Sequence, residues 1–142
     1  QELQTVAHYK LPLKIFILNN RSYGIIKQFQ DLYFDSAYHA SDRRGGYSAP
    51  DFSKVAKAYG IPTVTIRNHS EAARGIKKMF QVKGSILCDV LINPDQKLIP
   101  KLEFGRPLED MSPYLRREEL VREMIIEPLP EPKQINGWQK PC

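Results

Sequence analysis

With 142 residues, 42% of them hydrophobic and 26% charged, the chain has room for one domain with a core of its own. Its formal charge of +5 is scattered, not striped, and no aromatic-interleaved basic patch occurs, which argues against a nucleic-acid partner. The two cysteines are Cys88, in an apolar run, and Cys142, the last residue; this argues against a disulfide framework and makes the cytoplasm the expected compartment.

Along the chain, Leu3, Val6 and Ala7 share one helical face with no capping signal before them, so residues 2–9 read as the end of a helix. The opening in mid-pattern is expected of a piece cut from a larger protein. Residues 13–18 form an apolar strand that stops at Asn19-Asn20. A helix follows over 24–34, with Ile25, Ile26, Phe29, Leu32 and Tyr33 at helical spacing. The polar segment 35–47 is loop, through Asp42-Arg43-Arg44-Gly45-Gly46.

Ser48 with Asp51 three residues on resembles a capping box, opening a helix with Phe52, Val55, Ala56 and Tyr59 on one face and a stop at Gly60. Residues 63–66 form a short strand. Ser70 then caps a helix whose apolar face is Ala72, Ala73, Ile76, Met79 and Phe80, ending at Gly84. Residues 85–92 form a second buried strand containing Cys88, expected to be a small buried hydrophobe. Strands alternating with helices predict right-handed βαβ units and a parallel sheet. Eight of the eleven prolines fall after residue 93. Residues 93–142 are therefore an extended tail with one helical signal, Arg116 to Met124, whose Glu118, Glu119, Arg122 and Glu123 form a solvated face. No apolar run is long enough to span a bilayer.

The sharpest signal is Leu13-Lys-Ile-Phe-Ile-Leu-Asn19-Asn20-Arg-Ser22-Tyr23-Gly24, with a helix starting at once behind it. A parallel strand here delivers oxygen ligands to its carboxyl end, beside the N–H groups of a helix start. That suits an anionic group held through a hard metal ion. Asn20 offers an amide oxygen, Ser22 a backbone carbonyl, and Gly24 lets the backbone approach a phosphate. On its own, Asn-Asn is equally a strand breaker. On periodicity alone Ile25, Ile26 and Phe29 read as core residues. His8, His39 and His69 are too far apart to suggest a metal set, while His39, Arg43 and Arg44 are in reach of a substrate carboxylate if their loop folds over the helix.

The resemblance rests on more than this turn. The helix through Glu2-Leu3, the Leu11-Pro12 lead into the strand, Asn19-Asn20, Tyr23-Gly24, Gln28-Phe29-Gln30, Pro50-Asp51-Phe52 and Ala58-Tyr59-Gly60 occur in order. Together they resemble the carboxyl-terminal cofactor-binding domain of thiamine-diphosphate enzymes, closest to acetolactate synthase-like members. The resemblance implies a doubly wound α/β parallel sheet, incomplete at its amino-terminal side, with the domain over 1–92 and the tail over 93–142. It also implies a Gly-Asp-Gly triplet, carrying the metal's carboxylate ligand, ahead of Gln1.

By the same resemblance, Asn20 and Ser22 hold Mg2+, and Asn20, Ser22, Tyr23, Gly24 and Ile25 contact thiamine diphosphate. Ile25, Ile26 and Phe29 line the substrate pocket, and Phe29 stands where these enzymes usually carry tryptophan. The implied reaction is decarboxylation of a 2-oxo acid such as pyruvate and ligation of the acyl carbanion to a second carbonyl. No catalytic residue falls in this chain, and FAD is left open for the full-length protein. A homodimer or homotetramer follows from active sites at subunit interfaces. The segment Phe104 to Pro113 resembles members linked to bacterial surface-polysaccharide pathways, which implies a keto-sugar acceptor. The readings that compete are a simple 2-oxo acid decarboxylase and a non-catalytic Rossmann-like binding or assembly module.

Overall fold

The structure, a computed structural model, describes residues 1–130. The elements in chain order are α1 (Glu2–His8), β1 (Lys14–Asn19), α2 (Gly24–Tyr33), α3 (Phe52–Ala58), β2 (Thr63–Ile66), α4 (His69–Gln81), β3 (Ile86–Leu91) and α5 (Arg117–Glu123). Among the described residues the three strands form one parallel sheet in the order β1-β3-β2. β3 is central because its run Ile-Leu-Cys-Asp-Val-Leu is apolar on both faces but for one carboxylate.

Two half-cores sit on opposite faces of this sheet. On one, Val6 of α1 and Ala56 of α3 meet Ile61 and Leu87, with Ile15, Ile17, Phe52 and Tyr59 packed around them. On the other, Met79 of α4 meets Ile66, Ile86 and Cys88. Burying the Met79 side chain completely contributes on the order of 2 kcal/mol. The connection from β1 to β2 passes over one face and the return to β3 over the other, so the sheet is doubly wound, as the resemblance implied, and parallel, as the alternation predicted. Cys88 has no exposed surface, and burial raises its thiol pKa above the ordinary range. Cys142 and the rest of 131–142 lie outside the described residues.

Several local expectations are corrected. Ser48 does not cap α3: Asp51 does, its Oδ1 accepting from Lys54 N–H at 2.9 Å. Pro50 disfavours helical backbone at Ala49, so the helix does not begin three residues earlier, behind Ser48. Ser70 does not cap α4 either. Asn68 does, accepting from Glu71 N–H at 3.1 Å, while Glu71 reaches back to Arg67 N–H and the Ser70 hydroxyl donates to Asn68. The inward face of α4 is Ala72, Gly75 and Met79, not Ile76 and Phe80, which are exposed. Gly75 is the reason. A Cβ there would lie 2.6 Å from Ile66 Cγ1, so its absence lets the helix settle on β2 along that line.

β1 is an edge strand, and α4 does not cover its second face, where Leu18 is 70% exposed and Phe16 41%. The segment after β3 returns to α2. Gln28, the one buried residue of that helix, donates to the Leu98 carbonyl at 3.0 Å and accepts from the Leu98 N–H at 2.9 Å. Lys27 pairs with Asp95 at 2.6 Å and Asp31 with Lys97 at 3.0 Å on either side of that clamp.

Candidate functional site

The carboxyl ends of β1 and β3, the β1–α2 turn and α2 itself carry the chemistry. β1 ends at Asn19 and the chain turns through Arg21, whose φ of 55° lies in the left-handed region. Two asparagine side chains hold that turn. Asn19 Oδ1 accepts from Arg21 N–H at 3.0 Å, and Asn20 Oδ1 accepts from Ser22 N–H at 3.1 Å. α2 then starts at Gly24 with no side chain capping its N–H groups.

The turn fits a metal–diphosphate group on three counts. Asn20 Oδ1 uses one lone pair on Ser22 N–H and keeps another for a cation. The Ser22 hydroxyl is buried with no hydrogen-bond partner, and its carbonyl accepts no hydrogen bond among the described residues. A Cβ on Gly24 would lie 2.7 Å from Asn20 Nδ2, so any side chain there would fill the cradle beneath the amide. Amide and carbonyl oxygens are the hard donors that Mg2+ takes.

The loop after α2 folds back over the turn. Tyr23 N–H donates to the Ser41 carbonyl at 2.8 Å, the Ser41 hydroxyl reaches Gln30 at 2.5 Å, and the Tyr23 and Tyr47 rings meet at 4.3 Å. Asp42 holds the loop closed by accepting from Gly45 N–H at 2.9 Å, a bond that lowers the Asp42 carboxyl pKa. The Tyr38 phenol donates to Asp31 and, with Lys97 and Ser36 also facing it, takes that carboxyl down to about 2.

Ile25 and Ile26 do not belong to the core: they are 68% and 49% exposed on α2. Ile26 and Phe29 line an apolar cleft of about 510 Å³ with Tyr33, Phe34, Ala37 and His39, and Ile25 is not part of its lining. The Phe29 ring contacts Tyr33 and Phe34 and meets Phe104 edge-on at 5.5 Å. Lys101 Nζ, buried without a hydrogen-bond partner, stands over Phe29 and Tyr33 at 5.9 Å from each. Of the three loop residues considered for a substrate carboxylate, His39 faces this cleft. Arg44 pairs with Asp42 at 3.3 Å and leans on Tyr38, and Arg43 lines a different, polar cleft.

That polar cleft, about 420 Å³, opens at the carboxyl ends of the strands between Asn19, Arg21, Arg43, Ser53, Thr65 and Asp89. Asp89 was not among the residues the sequence pointed to, and Asn19 was read only as part of the Asn-Asn turn, with no role as a ligand. Both are buried, and Asn19 Nδ2 donates to Asp89 Oδ1 at 3.0 Å. The available signal was a single carboxylate inside an otherwise apolar strand. Among the described residues no group of three His, Cys, Asp or Glu could hold a metal.

Residues 1–90 match the family described as thiamine pyrophosphate enzyme, C-terminal TPP binding domain. The chain belongs to that family. It is 35% identical over 106 residues to the acetolactate synthase large subunit of Porphyra purpurea, an overlap of 75% of this chain and 18% of that protein. It is 30% identical over 115 residues to the chloroplastic acetolactate synthase 1 of Zea mays, covering 78% and 18%. With the mitochondrial acetolactate synthase of Schizosaccharomyces pombe it shares 31% over 107 residues, covering 75% and 15%. The chain thus spans less than a fifth of the length of these thiamine pyrophosphate enzyme relatives. Among the described residues no helix is long and apolar enough to cross a membrane.

Proposed function

We propose that this chain is the cofactor-binding portion of an acetolactate synthase-like enzyme, which decarboxylates a 2-oxo acid such as pyruvate and joins the acyl unit to a second carbonyl. The observation that carries it is the β1–α2 turn, where the Asn20 amide oxygen and the Ser22 carbonyl stand beside a side-chain-free Gly24. Asn20 and Ser22 hold Mg2+; Tyr23, Gly24 and Ile25 contact thiamine diphosphate; Ile25, Ile26 and Phe29 face the substrate. Bound thiamine diphosphate supplies the carbon centre that takes up the acyl unit, with Mg2+ balancing its diphosphate charge.

The chain's own work is positional. The asparagine turns fix the oxygen donors, the uncapped start of α2 faces its N–H dipoles toward negative charge, and the apolar wall of Ile26 and Phe29 excludes water from the acyl unit. Proton transfer at the cofactor falls to residues outside this chain, as does any FAD. We set the domain at 1–92 and the tail at 93–142, supported by a family match that ends at residue 90. A homodimer or homotetramer in the cytoplasm is the assembly we infer. Low cysteine content supports a reducing compartment, although relatives are named as chloroplastic and mitochondrial. Phe29 in place of the usual tryptophan, with the tail segment from Phe104 to Pro113, supports an acceptor other than a second pyruvate, such as a keto-sugar.

Two measurements on the intact protein test this. With pyruvate, thiamine diphosphate and Mg2+, acetolactate establishes carboligation. Acetaldehyde moves the assignment to a decarboxylase, and product only on adding a sugar carbonyl establishes the larger acceptor. Asn20→Ala is expected to weaken Mg2+-dependent cofactor binding at least about tenfold. Unchanged binding would remove Asn20 as a ligand.

A further inference from the structure

We propose that Asp89 is a positioning residue for the metal-binding turn, acting from the neighbouring strand through Asn19. This rests on the cofactor reading given above. Asp89 lies in the middle of β3, in register with Ile17 of β1 on one side and Thr65 of β2 on the other. Its side chain points to the face shared with Asn19, and both residues are 8% exposed. Placing a carboxylate inside the central strand of a small sheet is costly unless it is hydrogen-bonded. Here its partner is the amide of the residue that ends β1.

The chemistry of the two groups sets a direction. An ionised carboxylate only accepts, whereas an amide has a donating and an accepting end. Asp89 therefore selects the orientation of Asn19, drawing Nδ2 toward itself at 3.0 Å and turning Oδ1 the other way. That oxygen receives Arg21 N–H at 3.0 Å. With the amide reversed, Nδ2 would face Arg21 N–H, donor against donor. The Arg21 bond holds its residue in the left-handed region at φ 55°, between Asn20 and Ser22, which are joined by their own bond at 3.1 Å. Asp89, Asn19 and Arg21 thus form one line of hydrogen bonds ending at the residue that stands between the two proposed ligands. Residues that orient a metal's ligands commonly control affinity without touching the ion.

The test is a Mg2+ titration of the intact protein at saturating thiamine diphosphate, followed by calorimetry, with unfolding measured separately in the absence of both. Asp89→Ala and Asn19→Ala are each expected to raise the half-saturating Mg2+ concentration about tenfold. The double variant should be no worse than either single one, because both act through the same line. Asp89→Asn keeps an acceptor and should recover most of the affinity, staying within about threefold of wild type. If Asp89→Ala does not fold, Asn19→Ala and Asp89→Asn carry the test by themselves. A half-saturation point within about twofold of wild type for Asn19→Ala, with Asn20→Ala strongly weakened, overturns the proposal and leaves the metal site standing. If Asn20→Ala is also unaffected, the metal reading fails and the proposal falls with it.

Discussion

Gly24→Ala separates the site from the fold. The added Cβ would stand 2.7 Å from Asn20 Nδ2, where ordinary contact begins at 3.4 Å. The neighbour is the far end of a side chain, so the amide can turn away and the backbone need not move. Moving it by the missing distance, about 0.7 Å, is a third of a Mg–O bond of about 2.1 Å. It also pulls Asn20 Oδ1 off Ser22 N–H, a loss of about 1 kcal/mol. A helix gains up to about 1 kcal/mol when alanine replaces glycine, so the net stability change stays within about 1 kcal/mol of zero. Mg2+ demands near-octahedral geometry, and its affinity should fall at least about tenfold, or 1.4 kcal/mol. Calorimetric Mg2+ titration at saturating thiamine diphosphate, beside urea unfolding of the metal-free protein, reads both quantities. Unchanged Mg2+ affinity with an intact fold would refute the reasoning, and so would a collapse in stability that left affinity alone.

Other perturbations probe the frame around the site. Gln28→Ala leaves the Leu98 N–H and carbonyl without their partner, at a local cost of about 1–2 kcal/mol, and trypsin should then cut at Lys97 or Lys101 faster. Gly75→Ala forces a methyl against Ile66; overpacking of about 1–3 kcal/mol exceeds the helix gain of about 1, so the urea midpoint should drop. Asp31 is held near 2 by the Tyr38 phenol, against 3.8 ordinarily, so its carboxylate stabilises the fold fully above that ordinary value. The contribution is lost as the pH falls from 3.8 toward 2, and the stability gap between wild type and Asp31→Asn should close across that window. A gap independent of pH would show that Asp31 is not held by these partners.

The elements were legible to within about three residues because each rests on local pattern: the apolar run 13–18, the stop at Gly60 with its φ of 72°, the β3 run around Cys88. The caps were less so. Ser48 and Ser70 have the right spacing, but Pro50 bars one start and Asn68 takes the other. Helical spacing also could not tell which side of α4 faces in, because the decisive residue, Gly75, has no side chain to count. The turn residues 20–24 were readable since strand, asparagines and glycine are contiguous. The tie between Asp89 and Asn19 was not. Their bond spans seventy positions, and only the sheet register brings them together.

The clamp on α2 has a consequence for how such chains can diverge. Gln28 grips Leu98 through its backbone N–H and carbonyl, so the grip is indifferent to which side chain stands at 98. The flanking pairs, Lys27 with Asp95 and Asp31 with Lys97, are matched by charge and constrain both partners. A hybrid joining residues 1–92 to another relative's tail would keep the central grip wherever the backbone path is kept. It would lose the flanking pairs unless the charges at 95 and 97 came with it. The tail can thus vary at 98 while remaining tied to α2, and its freedom to change is set by two charges.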